Sequence, residues 1–256
     1  MHKAKEEEHP NIIMDVTMTA VRRPSLLKHT LASFYSNLFC RIADYTRLII
    51  NVDPIGEDVR PQEMIEVASG FFGHIYVNFP SKPSFPEAFK WCWGKSDAPW
   101  VFHLEDDWKL LREVNILEMM HIMDCEPELA SLRLPFFNST ETNMKNWNIH
   151  FPWNGDYFEC PTDRRKGAGF AGHPSLLRGK FVQRCAPLLD TMRNPEKQFH
   201  GGNTKLVNEV LNWKYGVYGE PNSPKILEDI GAEWKAKHNF RKSGNKAFFT
   251  QWEART

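Results

Sequence analysis

Residues 11–135 alternate between short apolar segments rich in β-branched residues and segments in which Leu, Met and Phe recur at helical spacing. The apolar segments predict strands over residues 12–19, 47–53, 74–78, 100–104 and 130–135. The helical spacing predicts helices over residues 25–38, with Ser25 as N-cap, and over 61–69, 87–93 and 114–125. This alternation is typical of α/β proteins, so we expect a mostly parallel, Rossmann-like central sheet flanked by helices.

The pattern changes after residue 135. Residues 138–166 are polar and poorly periodic, whereas residues 174–189 and 205–213 have helical spacing. The end of the chain is charged and aromatic, and we expect a helical tail there. The sequence therefore predicts a flexible tail at 1–10, an α/β half at 11–135 and a second half at 136–256, all within one compact domain.

Composition excludes some classes of protein and favours a cytoplasmic one. Lys plus Arg and Asp plus Glu number 32 each, which argues mildly against nucleic-acid binding by bulk charge alone and leaves a local basic groove open. The sequence has no apolar run of the roughly 20 residues that span a bilayer, and residues 1–10 do not resemble a signal peptide. The five cysteines form no Cys-x-x-Cys pair, which argues against a disulfide scaffold.

Polar clusters follow three of the predicted strands. Arg22 and Arg23 follow the first strand, Asp53 ends the second, and residues 105–107 (Glu-Asp-Asp) end the fourth. Open α/β sheets bind ligands at the carboxyl ends of their strands. We therefore expect these clusters to converge at one edge of the sheet.

Adjacent carboxylates repel one another unless water, cations or a metal compensate their charge. Because strand side chains alternate, Glu105 and Asp107 are expected on one face and Asp106 on the other. Carboxylate oxygens suit Mg²⁺ and Mn²⁺, which usually take further oxygens from substrate phosphates. The alternative is that the acids open a solvated loop before Trp108.

Taken in order, residues 16–25, 51–53 and 101–108 resemble the nucleotide-binding segments and the Asp-x-Asp region of GT-A glycosyltransferases. The resemblance implies a GT-A-like α/β fold with a C-terminal acceptor-side extension. It also implies metal-dependent transfer of a sugar from a UDP- or GDP-sugar to an acceptor hydroxyl. The implied metal is Mn²⁺ or Mg²⁺.

The resemblance implies roles for the acids. Asp107 occupies the position of the metal-binding acid and is implied to be catalytic, whereas Glu105 replaces the first acid of the motif and would contact metal or ribose. Asp106 is the middle residue, whose role varies in the family. A C-terminal histidine often adds a metal ligand, and His238 is the candidate here; the alternative is an exposed histidine in a basic tail.

Besides Glu105 and Asp106 of the triplet, which are also candidates for binding the nucleotide-sugar, three residues are candidates for holding the nucleotide. Arg22 and Arg23 have guanidinium groups suited to phosphate oxygens, and Asp53 could accept hydrogen bonds from the nucleoside. The alternatives are a solvated loop for the arginines and an ordinary turn residue before Pro54 for Asp53.

An inverting transferase needs a general base for the acceptor hydroxyl. Glu209, on a predicted helix after a Gly-Gly-Asn-Thr loop, is the first choice among the later acids. It could equally be a solvated helix residue, and a retaining enzyme would not need it.

The basic, aromatic segment 229–246 resembles the tails of phage-type glycosyltransferase-like proteins. This makes a hydroxymethylated base in phage DNA a second acceptor besides a glycan, with the host cytoplasm as the location. Two other functions remain open from the sequence. One is a metal-dependent phosphotransferase or nuclease that uses the same carboxylates, and the other is a non-catalytic nucleic-acid-binding module.

Overall fold

The computed structural model of the protein describes residues 11–140, 151–238, 240–243 and 251–254. Its strands are β1 (Met14–Arg22), β2 (Thr46–Gly56), β3 (His74–Asn78), β4 (Trp100–Glu105), β5 (Trp108–Leu110), β6 (Leu129–Arg133), β7 (Tyr157–Glu159), β8 (Ser175–Arg178), β9 (Lys214–Tyr218), β10 (Leu227–Asp229), β11 (Phe240–Ser243) and β12 (Gln251–Ala254). Its helices are α1 (Pro24–Phe34), α2 (Pro61–Ser69), α3 (Phe85–Lys95), α4 (Ile116–Cys125), α5 (Arg165–Ala168), α6 (Gly179–Cys185), α7 (Thr204–Leu211) and α8 (Gly231–Lys237). The predicted flexible tail at 1–10 lies outside the described residues.

Within the described part of the chain, one sheet of eight strands has the order β3-β2-β1-β4-β8-β6-β9-β7. The first four strands are parallel, and β6 pairs with β9 in parallel. Antiparallel pairs join β8 to β4 and β6, and β7 to β9. The predicted mostly parallel sheet with flanking helices is confirmed.

The central strand β1 is buried on both faces for almost its whole length, as expected for a strand covered by helices on each side. Helix α1 begins with Pro24 at its first position, where a missing N–H costs nothing. Its N-cap is Arg23, so the prediction of Ser25 as N-cap is wrong. Helix α3 is capped by Ser84, whose hydroxyl accepts a hydrogen bond from the Glu87 backbone N–H.

The predicted helix over residues 174–189 is wrong in its first part. Residues Ser175–Arg178 form β8 instead, because their hydrogen bonding to both β4 and β6 outweighs local preference. The helix begins only at Gly179, where a Cβ atom would lie 2.1 Å from the Ala98 carbonyl oxygen. Strands β5, β7, β9 and β10 were not predicted from the sequence.

The second half of the chain completes the sheet of the first half. Strand β6 from the first half lies between β8 and β9 from the second, so the sheet runs across residue 135. The predicted helical tail is correct only for α8, because β11 and β12 follow as an antiparallel pair. No helix among the described residues is long and apolar enough to span a membrane.

Candidate active site

The carboxyl ends of β1, β2 and β4 are adjacent because these strands are parallel neighbours. A small pocket opens at this edge of the sheet. Its lining includes Arg23, Asp53 and all three acids of the triplet, together with Thr19, Ala20, Val21 and Phe85. The structure thus brings together most of the residues that the sequence singled out. Arg22, the last residue of β1, directly precedes Arg23 in the chain.

Asp106 is almost fully buried and forms a two-point ion pair with Arg23. Arg23 Nε donates to Asp106 Oδ2 at 2.8 Å, and Arg23 Nη2 donates to Oδ1 at 2.5 Å. The Val21 backbone N–H also donates to Oδ2, at 3.1 Å. Both carboxylate oxygens of Asp106 therefore hold protein groups, and the residue fixes the ends of β1 and β4 relative to each other.

Arg23 is 2% exposed and lies between the carboxylates. Burial by itself lowers the pKa of the guanidinium, but Asp106 and Asp107 raise it above its ordinary value, so Arg23 stays charged. Its Nη1 is buried and has no hydrogen-bond partner among the described residues. That donor is the part of Arg23 left for a ligand in the pocket.

Asp107 is less completely enclosed than Asp106. Its Oδ2 lies 3.1 Å from Arg23 Nη2 and 3.7 Å from Lys235 Nζ, and its side chain is 12% exposed. Glu105 ends β4 and is half-buried. The strand alternation expected for the triplet does not continue past Glu105, because residues 106 and 107 form a turn; Asp106 and Asp107 both contact Arg23, and all three acids line the pocket.

The donor set fits a metal that is completed by a substrate and does not fit a metal cage made of protein alone. No group of three or more His, Cys, Asp or Glu residues is arranged to hold a metal ion in the described ranges. Glu105 and Asp107 line the pocket, and one or two carboxylates plus phosphate oxygens are the usual ligands of Mg²⁺ at nucleotide sites.

Asp53 is 4% exposed at the end of β2. Its Oδ1 accepts from Asn51 Nδ2 at 2.9 Å, and its Oδ2 accepts from the Ser84 backbone at 3.0 Å. Burial raises the pKa of Asp53 to about 6, although these two hydrogen bonds oppose the shift. The geometry is not that of a solvated turn residue.

A second, larger cleft begins at Asp53 and has a volume of about 340 Å³. It runs along the ends of β2 and β3 and the start of α3. Its lining includes Asn51, Asn78, Lys82, Ser84 and Trp91. Asn78 Nδ2 donates to Asn51 Oδ1 at 2.7 Å, so a chain of amides holds Asp53 in position. A cleft of this size, with convergent polar groups, suits a small-molecule ligand.

Arg22 lies at the point where β1 departs from regular pairing with β2. Gly56 has φ of +115°, and a Cβ atom there would lie 2.3 Å from the Arg22 carbonyl oxygen, so only glycine fits. The Arg22 Nε is buried and has no hydrogen-bond partner in the part of the chain that the structure describes. The side chain is half-buried and next to the pocket-lining residues.

His238 contacts Trp234. The two rings stack with centroids 4.4 Å apart, and His238 Nδ1 lies 3.0 Å from the Trp234 carbonyl oxygen. The structure does not group His238 with the carboxylates, so the metal role predicted for it stays a prediction. Trp234 and Lys235 were not singled out from the sequence as site residues; the only signal was their place in a basic, aromatic segment.

Glu209 does not line either of these pockets. It lies on α7, where Oε1 accepts from Trp213 Nε1 at 2.9 Å and pairs with Arg184 at 3.4 Å. Its carboxylate is thus occupied by protein partners, and its role as general base also stays a prediction.

Two further histidines interact electrostatically: His103 in β4 is buried, and His173, just before β8, is half-buried. Burial, with a smaller effect of His173, lowers the pKa of His103 to about 3. Burial, with a smaller effect of Arg133, lowers the pKa of His173 to about 4. Both imidazoles are neutral near pH 7, so neither supplies a cation for a phosphate.

The fold is that of GT-A-type glycosyltransferases, as the comparison with solved structures shows. TarS 1-349 from S. aureus matches with a TM-score of 0.54 and 7% identity over 88% of this chain and 63% of its own. TarS 1-349 in complex with UDP matches with a TM-score of 0.55 and 8% identity, over 84% of this chain and 59% of its own. The mannosyltransferase PcManGT from Pyrobaculum calidifontis, in complex with GDP-Man and Mn²⁺, matches with a TM-score of 0.54 and 9% identity. The match covers 82% of this chain and 55% of PcManGT.

The chain therefore spans 55% to 63% of the length of these three structures. No family model matches the sequence, and no curated protein matches it. At such low identity the likeness establishes the fold, and the activity has to be argued from the site.

Proposed function

We propose that the protein is a metal-dependent glycosyltransferase that moves a sugar from a nucleotide-diphosphate sugar to an acceptor hydroxyl. One observation carries the proposal. In a GT-A fold, the pocket at the ends of β1, β2 and β4 gathers Asp53, Glu105 and Asp107 beside a cleft of about 340 Å³. Structures with the same fold hold UDP, or GDP-Man and Mn²⁺.

In this proposal the nucleoside of a UDP- or GDP-sugar lies in the larger cleft. Asp53 is held rigidly by Asn51 and Ser84 and accepts a hydrogen bond from base or ribose. With a pKa of about 6, Asp53 is mostly ionised at pH 7 and above. Because Asp53 lines both pockets, the diphosphate would extend from it towards the acidic triplet.

Asp107 and Glu105 would hold Mn²⁺ or Mg²⁺, with donor phosphates as the remaining ligands. The bound metal would neutralise charge that develops on the leaving diphosphate. Arg22 and the Nη1 of Arg23 are the proposed cationic contacts of the phosphates, since both have a buried nitrogen without a hydrogen-bond partner among the described residues. Asp106 keeps Arg23 in place.

The proposed acceptor is a hydroxyl on a glycan or on a hydroxymethylated base in DNA, and the proposed location is the cytoplasm. The segment 229–246 that suggested DNA lies partly outside the described residues, which include its backbone only to residue 243 and its side chains only to residue 238. Glu209 would serve as base only if the acceptor reaches α7.

A thermal-shift panel of UDP- and GDP-sugars, each with and without Mn²⁺, tests the proposal. We expect one donor to stabilise the wild-type protein when Mn²⁺ is present and to lose this effect in Asp107→Asn. Asp44→Asn is the matched control, because Asp44 is exposed at the amino end of β2, away from the strand ends that form the pocket. Stabilisation by DNA alone, unchanged in Asp107→Asn, would overturn the proposal in favour of a nucleic-acid-binding module.

A further inference from the structure

The C-terminal segment 227–238, which we call the strap, lies directly over the acidic triplet. Strand β10 within the strap pairs with β5, which begins immediately after Asp107. The Ile230 backbone N–H then donates to the Asp107 carbonyl oxygen at 2.9 Å. The strap is thus hydrogen-bonded to the backbone of the residue proposed to bind metal.

The close approach of the strap depends on Gly231. A Cβ atom at this position would lie 2.1 Å from Asp107 Oδ2 and 2.7 Å from Asp107 Cβ. Real Cβ atoms do not approach other atoms so closely, so a side chain here would push the strap and the carboxylate apart. Helix α8 therefore begins in contact with the Asp107 side chain.

Trp234 attaches the strap to the other two strand ends. Its Nε1 donates to Glu57 Oε1 at 2.9 Å, just after β2, and its ring lies 5.2 Å from the Arg23 guanidinium, just after β1. One short segment thus contacts the ends of β1, β2 and β4 together.

Lys235 is placed by this attachment beside Asp107. Its Nζ lies 3.7 Å from Asp107 Oδ2, and its side chain is 25% exposed. Arg23 is shared between Asp106 and Asp107, so Lys235 supplies the additional positive charge at Asp107. Lysine is a compact charge on a flexible stem, which lets it change partners at little cost.

We propose that Lys235 occupies the cation position at Asp107 when no nucleotide is bound, and that it transfers to a donor phosphate when a metal and diphosphate enter. The inference rests on the proposed function. The ammonium keeps the carboxylate neutralised in the empty protein, so a free divalent ion binds weakly. The diphosphate then offers Lys235 a more negative partner, and Asp107 becomes available to the metal.

The exchange makes two opposite predictions for Lys235→Gln. Removing the ammonium removes the competitor at Asp107, so Mn²⁺ alone should bind the nucleotide-free protein about 3- to 10-fold more tightly. The same change removes a phosphate contact, so UDP or GDP should bind about 10-fold more weakly in the presence of Mn²⁺. If the ion pair had only a structural role, its loss would not tighten Mn²⁺ binding and weaken nucleotide binding in the same variant.

Calorimetric titration of the full chain measures both constants, with Mn²⁺ alone and then with UDP and GDP at saturating Mn²⁺. Lys237→Gln is the matched control, since Lys237 is exposed on the same helix. Lys235→Arg should retain most nucleotide affinity because it keeps the charge. Circular dichroism and urea unfolding confirm that each variant is folded.

The outcomes separate the two proposals. If wild-type protein binds UDP or GDP but Lys235→Gln changes neither constant, or weakens both, the exchange is overturned and the proposed function stands. If wild-type protein binds neither nucleotide, the proposed function fails and the exchange fails with it. Tighter Mn²⁺ binding together with weaker nucleotide binding, in Lys235→Gln alone, supports the exchange.

Discussion

Unlike its neighbours, Asp106 has a structural role, because its carboxylate fixes the ends of β1 and β4 relative to each other. The variant Asp106→Ala tests this role. The side chains of Asp106 and Arg23 are each 3% exposed, and the carboxylate accepts two bonds from Arg23 and one from the Val21 backbone. Removing Asp106 leaves the buried Arg23 with Asp107 as a counter-charge and leaves the Val21 N–H without this acceptor; breaking a buried ion pair in this way costs about 3–5 kcal/mol. That is a large part of the roughly 5–15 kcal/mol by which domains are stable.

The second half of this prediction concerns the pair. Arg23→Met combined with Asp106→Leu removes both charges. The free energy of unfolding of this double variant should therefore fall by less than the summed losses of the two single variants, and the difference should be at least about 2 kcal/mol. Asp107→Asn should cost less than about 1.5 kcal/mol, because the amide keeps the shape and the site is more open.

Urea unfolding, followed by fluorescence, gives the free energy of unfolding and the slope for each variant. The reasoning is refuted if Asp106→Ala lies within about 1 kcal/mol of the wild type, since a pair this buried cannot be lost at so little cost. It is also refuted if Asp107→Asn destabilises as much as Asp106→Ala, because the two acids would then not differ in role.

Three further outcomes are expected. Burial gives Asp53 a pKa of about 6 against an ordinary 3.8, so the folded state binds its proton more tightly, and ionisation of this group lowers the unfolding free energy by about 2 kcal/mol as pH rises from 4 to 7. Asp53→Asn should lack this loss, and a wild-type-minus-variant difference that is independent of pH would contradict it. Gly231→Ala should weaken UDP or GDP binding more than about 10-fold by displacing the strap. Gly94→Ala is the control, because the space around a Cβ atom at that position is open, and this variant should bind the nucleotide normally in the same titration. EDTA should abolish stabilisation by the nucleotide-sugar in a thermal-shift assay, and Mn²⁺ or Mg²⁺ should restore it; unchanged stabilisation in EDTA would exclude the metal.

The first half of the fold could be predicted from the sequence because its strands are continuous apolar runs. Parallel strands buried on both faces need such runs, and each ends in polar residues where the sheet meets solvent. That pattern was sufficient to predict β1, β2 and β4 and the meeting of their ends. Side-chain alternation was expected to separate Asp106 from Asp107, but the strand ends at Glu105 and both of these acids contact Arg23.

The remainder depends on contacts between distant parts of the chain. Residues Ser175–Arg178 have no strand signal of their own and become β8 only because they fit between β4 and β6. Arg23 was predicted to contact phosphates, and the sequence does not reveal that most of its donors are used by Asp106 and Asp107.

The strap could not be predicted for the same reason. Lys235 and Asp107 are far apart in sequence, and their contact depends on the pairing of β10 with β5. Three-residue strands are too short to give a reliable pattern in the sequence. A basic, aromatic tail suggested a nucleic-acid surface, whereas the structure places Lys235 beside Asp107 and Trp234 against Arg23 and Glu57.

Release of nucleoside diphosphate from a panel of UDP- and GDP-sugars tests the central claim most directly. With Mn²⁺ present, we expect the wild-type protein to release the diphosphate from at least one donor. Asp107→Asn should release it at least about 100-fold more slowly while unfolding at nearly the same urea concentration. Equal release by Asp107→Asn and the wild type, or no release from any donor with candidate acceptors present, would contradict the assignment of this pocket as a sugar-transfer site.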